Sequence, residues 1–162
     1  MKKVINNFAI RSATLDDLET LVKFRIAILL ELDILRNDDI PLMEPKFGDY
    51  IKSKLLSGEL LCWFIEVNGK IAGVGKVMIY DAPPQSPQNP GKECYIFGVY
   101  IIPDMRGLGL ATQITKHIIN ELKASNYKNI WLRASKFGKT IYEKLGFVSS
   151  GSHSCEYMEL KQ

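Results

Sequence analysis

The chain of 162 residues has no apolar run that approaches the roughly 20 residues of a bilayer span. Met1-Lys2-Lys3 is followed by no apolar segment with a small-residue cleavage site, so no secretory signal is expected. Cysteine is scarce: Cys62, Cys94 and Cys155 are far apart, and none stands in a Cys-x-x-Cys pattern. A disulfide framework and a zinc site are both disfavoured, and reduced thiols in a cytoplasm are the simple expectation. Charge of one sign is also lacking. The excess of 21 basic over 18 acidic residues, a net charge of +3, is too small and too scattered to argue for a nucleic-acid partner. There is no internal repeat and no low-complexity tail. With 46% hydrophobic and 24% charged residues, residues 1–162 read as one soluble domain able to build its own core.

What the sequence does have is a glycine-rich turn, Arg106-Gly107-Leu108-Gly109-Leu110-Ala111. Before it runs an apolar strand from Tyr95 to Ile102, closed by Pro103. After it, Leu110, Ile114, Ile118 and Leu122 recur every four residues, the pattern of a helix. A turn of this kind between a buried strand and a helix start makes an anion site. Glycine lets the backbone curl, and the N–H groups of the first helical turn point at one spot. Arg106 adds a cation beside it. A P-loop is excluded because no Gly-Lys-Ser/Thr ending is in register. A dinucleotide fingerprint is disfavoured because Thr112 stands where its third small residue belongs, with Ala111 one place early.

A second motif lies downstream, Tyr142-Glu143-Lys144-Leu145-Gly146-Phe147. It reads as the end of a short helix that Ser135 caps and whose Phe137, Ile141 and Leu145 face the core. Gly146 is a left-handed stop and Phe147 an apolar clasp. The Arg-x-x-Gly-x-Ala loop, its lead-in Ile101-x-Pro103-x-x-Arg106 and this closing motif together resemble the GCN5-related N-acetyltransferase (GNAT) superfamily over roughly residues 8–160. The resemblance implies an α/β (α+β) fold, a mixed central sheet with a splayed strand pair flanked by helices, in the order β-α-α-β-β-β-α-β-α-β-β.

Local signals fit that order. Phe8 to Arg11 reads as a short strand, and Thr14 with Asp17 forms a capping box ahead of a helix apolar nearly all round. A second helix is expected after Pro45, from about Lys46 to Leu56. Asn68-Gly69 marks a hairpin between Leu61–Val67 and Lys70–Ile79, in which Gly73 and Gly75 suggest a bulge or a close backbone approach. Asp81 to Gly91 holds four prolines and reads as a stiff surface loop, either a connector or a rim of the acceptor pocket. A strand over Asn129–Arg133 follows the glycine loop and its helix, and two last strands are expected near Phe147–Ser150 and Cys155–Leu160.

The chemistry implied by the resemblance is acetyl transfer from acetyl-CoA to a primary amine, with acetyl-CoA as cosubstrate and no metal. Arg106, Gly107, Leu108, Gly109, Leu110, Ala111 and Thr112 would hold its phosphates. The amide-rich pantetheine arm would pair with the strand edge at Val99, Tyr100 and Ile101. Gly98 suits a bulge that opens this edge, although relatives of this kind are expected to carry Asn there. Tyr142 matches the family's proton donor to the leaving thiolate, Ser135 belongs to the same cofactor side, and Gly138 would leave room for the arm. A tyrosine near pKa 10 can serve a thiol near 8.5 without a large mismatch.

A base for the incoming ammonium is less clear. Glu93 shares side-chain parity with Tyr95 and Phe97 and is the candidate, though a solvated strand-end glutamate reads equally well. Arg133 is no base, His117 among Ile114 and Ile118 reads as structural, and His153 sits in a Ser/Gly-rich turn. The acids Glu31, Asp33, Asp38, Asp39 and Glu44 either are solvated or attract a cationic acceptor.

The favoured acceptor is a small-molecule amine; a protein N-acetyltransferase is the alternative within the enzyme class. A non-catalytic acyl-CoA-binding sensor or scaffold is the rival outside it. Homodimerisation is common in the family the motifs resemble, and the sequence does not decide it.

Overall fold

The computed structural model describes residues 7–88 and 90–149. The chain opens with strand β1 (Ala9–Ser12) and helix α1 (Leu18–Glu31), then helix α2 (Ile40–Leu56). Strands β2 (Leu60–Val67), β3 (Lys70–Asp81) and β4 (Lys92–Ile101) follow. Helix α3 (Leu110–Ala124), strand β5 (Asn129–Leu132) and the short helix α4 (Lys139–Lys144) complete the described part. Among the described residues one sheet of five strands runs in the order β1-β2-β3-β4-β5. The first four are antiparallel neighbours, and β5 joins β4 in parallel. This is the expected order as far as α4. The strand expected at Cys155–Leu160 lies outside the described residues, as do Ser150 and His153, and 147–149 are not strand.

The sheet separates two apolar layers, as period-2 alternation requires. Trp63, Ile65, Val77, Ile79, Cys94 and Ile96 face α3, whose Leu110, Ile114, Ile118 and Leu122 are buried against them. On the other face Leu60, Cys62, Phe64 and Val74 meet Leu21, Val22 and Phe24 of α1 and Ile51 of α2. The all-round apolar look of α1 follows from this position under both the sheet and α2.

Two entry signals behave as expected. The Asp17 carboxylate accepts the Thr14 N–H at 2.9 Å. It also receives two hydrogen bonds from Arg11, which hold it down at about 2. Asn68 and Gly69 both take positive φ, 52° and 73°, as a tight hairpin turn with the right twist demands.

Helix α2 departs from the expectation. It begins at Ile40, not after Pro45, and carries Pro45 inside it. Pro45 and Pro41 one turn before are both exposed, so the carbonyl that loses its partner can turn to water. A helix start was inferred from a proline that in fact sits on a solvated helix face.

The junction of β3 and β4 carries the irregularity that Gly73 and Gly75 foretell. Val74 pairs with Tyr100 and Lys76 with Phe97, so Gly75 alone stands against Gly98 and Val99. Gly98 takes φ 59° to absorb the extra residue. At Gly73 a Cβ would lie 2.5 Å from the Tyr100 carbonyl oxygen, a contact that neither backbone can relieve cheaply. Replacing Gly73 with Ala should therefore lower stability by roughly 2 kcal/mol or more. Gly48 offers the control: it lies within α2, where a Cβ would meet only Val22 Cγ2 at 3.9 Å. Its change to Ala should raise stability by about 1 kcal/mol. Urea unfolding of the two variants beside wild type reads both signs.

Candidate active site

The extra residue on β4 reverses side-chain parity. Phe97 faces α1 and α2, yet three residues later Tyr100 faces them too, while Val99 and Ile101 face α3. The same departure from regular pairing coincides with the loss of β5. The β4–β5 pairing runs from Glu93–Asn129 to Ile96–Leu132, and β4 continues to Ile101 paired with β3 but, among the described residues, without a neighbour on its other side. Val99, Tyr100 and Ile101 therefore lie along the edge of β4 from which β5 has parted, as the family resemblance required.

The glycine loop sits at the end of that free edge. Gly107 and Gly109 adopt φ 77° and 81°, and Gly109 caps α3. The first helical bond runs from the Gln113 N–H to the Gly109 carbonyl at 3.1 Å. The N–H groups of Leu110, Ala111 and Thr112 thus precede the ladder and form the positive end of a helix of 15 residues. A Cβ at Gly107 would meet nothing within 4 Å, so that glycine serves conformation and open approach. These features fit a pyrophosphate cradle.

Arg106 does something other than stand free beside the cradle. Its Nε donates to the Ile101 carbonyl at 2.9 Å and a terminal nitrogen pairs with Glu31 at 2.7 Å. The guanidinium also covers the Tyr100 ring at 5.2 Å, and Tyr100 meets Phe24 edge-on at 5.8 Å. Arg106 thereby ties the loop to the end of α1 and engages two of the three edge residues, Tyr100 and Ile101. Glu31 is committed to that tie and Asp39 to Arg36, so two of the five acids in the 31–44 stretch are already paired.

Tyr142 stands on α4 with its ring edge-on to Phe147 at 6.1 Å. The helix ends as the motif indicated. Gly146 is left-handed at φ 93°, the Phe147 N–H reaches the Tyr142 carbonyl at 3.0 Å, and Gly146 bonds Glu143. Burial pushes the Tyr142 phenol above its ordinary value, with a further contribution from the nearby Tyr95. Ser135 accepts the Gly138 N–H at 3.2 Å, but residues 135–138 form a turn and the helix proper starts at Lys139. Phe137 consequently falls out of the helical register and is 93% exposed, where the stripe with Ile141 and Leu145 had placed it inside. Gly138 makes room for Tyr142 itself: a Cβ there would lie 2.7 Å from the tyrosine ring.

Glu93 is brought to a different place from the rest. It is the second residue of β4, pairs in register with Asn129 and receives a hydrogen bond from the Asn129 side-chain amide. The splay opens only beyond Ile96, about 10 Å further along the strand. Arg133 lies just past β5, and His117 packs edge-on against Trp63 at 6.0 Å, a structural place as expected. Burial raises the thiols of Cys62 and Cys94 to about 12 and about 11, which leaves them unsuited to nucleophilic attack.

A residue that sequence reasoning passed over is Lys76. It is 2% exposed in the middle of β3, and among the described residues its Nζ is the buried side-chain nitrogen or oxygen without a hydrogen-bond partner. It reaches the bulge, since a Cβ on Gly98 would stand 3.5 Å from this Nζ. Lys76 and Arg25 together line a cavity of about 410 Å³ between the sheet and the α1–α2 pair. Met78, Tyr95 and Phe97 form its sheet side, Phe47, Tyr50 and Ile51 its helical side. Tyr95 stacks on Phe97 at 5.5 Å and on Trp131 of β5 at 4.3 Å, which links this cavity to the splay. The signal was present in the sequence as a lone lysine amid Val74, Gly75, Val77 and Met78.

Burial pushes the Lys76 ammonium down from the ordinary 10.5 to about 8. The folded state then holds fewer protons than the unfolded state between these two values, so wild-type stability gains with rising pH across that window. Lys76→Met should be the more stable protein at pH 7, by roughly 3 kcal/mol. That advantage should shrink as pH passes 8 and approaches 10.5. Denaturation midpoints of both proteins from pH 7 to 10.5 measure it.

Comparison with known proteins assigns the chain to a family. Residues 30–147 match the acetyltransferase (GNAT) family. A predicted acetyltransferase from Clostridium acetobutylicum, solved with acetyl-CoA, is 32% identical; the match covers 95% of this chain and 96% of that one, with a TM-score of 0.82. A GCN5-related N-acetyltransferase from Ralstonia eutropha is 23% identical, with coverage of 93% and 99% and a TM-score of 0.79. Glucosamine-6-phosphate N-acetyltransferase from Arabidopsis thaliana shares the fold at 22% identity, covering 95% and 100%, with a TM-score of 0.66. The chain belongs to the acetyltransferase (GNAT) family and, with it, to the acyltransferases.

Proposed function

We propose that this protein is an N-acetyltransferase that passes an acetyl group from acetyl-CoA directly to the primary amine of a small molecule. The observation that carries this reading is the coincidence, at one end of β4, of the anion cradle and the strand edge that β5 has left. Acetyl-CoA, the cosubstrate, supplies an activated thioester. The N–H groups of Leu110, Ala111 and Thr112 hold its phosphates, with Gly107 and Gly109 giving the backbone its path and Leu108 between them. Val99, Tyr100 and Ile101 offer a strand edge to the amide-rich arm. Arg106 fixes the relation of that edge to the loop, and Ser135 fixes the turn before α4.

The amine nitrogen bonds to the thioester carbonyl carbon as the C–S bond breaks. Tyr142 gives its hydroxyl proton to the leaving thiolate, the nitrogen gives up a proton to water, and solvent restores the phenol. The raised pKa of Tyr142 keeps the phenol proton in place through neutral and mildly alkaline pH. The cavity of about 410 Å³ suits a small acceptor better than a polypeptide terminus, since its walls enclose the space on two sides. A single domain in a cytoplasmic setting completes the reading. No helix among the described residues is long and apolar enough to cross a membrane.

A second reading, an acyl-CoA-binding sensor or scaffold without turnover, draws on the position of Glu93. Its carboxylate is held by Asn129 at the end of the β4–β5 pairing that lies away from the bulge. The two readings separate by thiol release from acetyl-CoA with a panel of amines. Tyr142→Phe should lower kcat about a hundredfold while acetyl-CoA affinity stays near wild type. Equal kcat in the variant would remove Tyr142 as the acid. Tight acetyl-CoA binding with no thiol release from any amine would favour the sensor.

A further inference from the structure

The α1–α2 side of the sheet carries an electrostatic problem that the acetyl-transfer reading leaves unsolved. Lys76 is nearly fully buried, and its Nζ has no hydrogen-bond partner among the described residues. A Cβ on Gly98 would stand 3.5 Å from this Nζ, and the side chains that act on it are the Cys62 thiol and the Arg25 guanidinium, neither of them a carboxylate. Arg25 lines the same cavity, and its guanidinium lies 5.9 Å from the centre of the Phe47 ring. Two basic side chains thus line one apolar, aromatic space, and among the described residues no carboxylate lines it. A buried ammonium without a partner is costly, and a ligand anion would be the missing partner.

We propose that this cavity receives the carboxylate of an α-amino acid with an apolar or aromatic side chain, and that this amino acid is the acetyl acceptor. The carboxylate lies at Lys76 with Arg25 as the second cation, and the side chain rests among Phe47, Tyr50 and Met78. This rests on the acetyl-transfer reading and names its substrate class. Position favours an α-amine. Lys76 reaches the bulge at Gly98, where β4 begins to run free of β5, and an α-amino nitrogen lies only one carbon away from its own carboxylate. The walls favour an amino acid over a sugar phosphate, because aromatic rings and a methionine offer little to a polyhydroxyl body. The acids of the 31–44 stretch do not contribute to this cavity, so a cationic acceptor finds no counter-charge within it.

The test uses the full-length protein and two readouts. The first is thiol release from acetyl-CoA with phenylalanine, leucine and methionine, each beside its decarboxylated amine and its carboxamide. O-phosphoethanolamine serves as the phosphate-bearing arm. The second is equilibrium binding of the same compounds without acetyl-CoA, followed by tryptophan fluorescence, since Trp131 stacks on the cavity residue Tyr95. The expected result is a preference of about tenfold or more in kcat/KM for the free carboxylate, expressed mainly in KM. Lys76→Met and, independently, Arg25→Gln should each diminish that preference while acetyl-CoA binding is kept.

Carboxylate binding that depends on Lys76 but gives no thiol release would uphold the anion site and overturn acetyl transfer. Turnover of amines and carboxamides as good as that of the acids would uphold acetyl transfer and overturn the anion site. A preference for O-phosphoethanolamine over all three amino acids would overturn the amino-acid assignment. An undiminished carboxylate preference in both variants would overturn the role of the two cations.

Discussion

The one-residue surplus on β4 opposite Gly75 is the constraint from which the rest of the site follows. A regular ladder would keep β4 in step with β3, continue the alternation past Phe97 and give β5 a straight neighbour. With Gly98 and Val99 set against Gly75 alone, the strand bends and its faces exchange. Tyr100 then turns to α1, where Phe24 and Arg106 enclose it, and Ile101 turns to α3. The β5 pairing stops at Ile96, two residues before the bulge begins at Gly98. Opening the sheet at this point costs ladder bonds. It returns an edge of free backbone beside the positive end of α3, so that an extended, amide-rich, anionic ligand would find both together.

The glycines that permit this are of two kinds. Gly98 supplies a positive φ that other residues adopt only at a cost, whereas Gly73 supplies absence of volume, because its Cα lies against the Tyr100 carbonyl. Arg106 then holds the result in place. By bonding Ile101, covering Tyr100 and reaching Glu31, it joins the end of β4, the loop and the last turn of α1. Its charge is partly spent on that tie, so the cradle's attraction for phosphate rests more on the helix N–H groups than a reading of the arginine alone would give.

Features whose physics is local were legible in the sequence. The Asn68-Gly69 turn needs two positive φ values from two adjacent residues. The Gly146 stop needs only the helix before it, and the glycine loop needs only a strand on one side and a helix on the other. What was not legible depends on tertiary surroundings. Pro45 marks a helix start only if nothing stabilises an earlier turn. Phe137 lies on the stripe of Ile141 only if the helix has begun by then, and the Ser135 turn delays it. The contact of Gly138 with Tyr142 was hidden because the orientation of Tyr142 toward its own preceding turn is invisible in a string of letters. Glu93 had the right parity and the wrong end of the strand, since parity says nothing about where a neighbouring strand departs.

Lys76 shows how the two kinds of information combine. Period-2 alternation alone puts it on the same face as Val74 and Met78, which is the face that α1 and α2 cover. A lysine so placed must either snorkel to solvent or remain as a buried charge. The bulge removes the first option, because the chain reaches toward Gly98 inside the fold and not toward the rim. Methionine would fill the same length without the desolvation cost, so packing gives no reason for an ammonium at this position. Stability alone disfavours the residue, and its burial against the active-site bulge places the compensation in whatever the cavity binds. A fold that carries such a cost in its resting form gains most when an anion arrives, and the same charge that weakens the empty protein then selects its ligand.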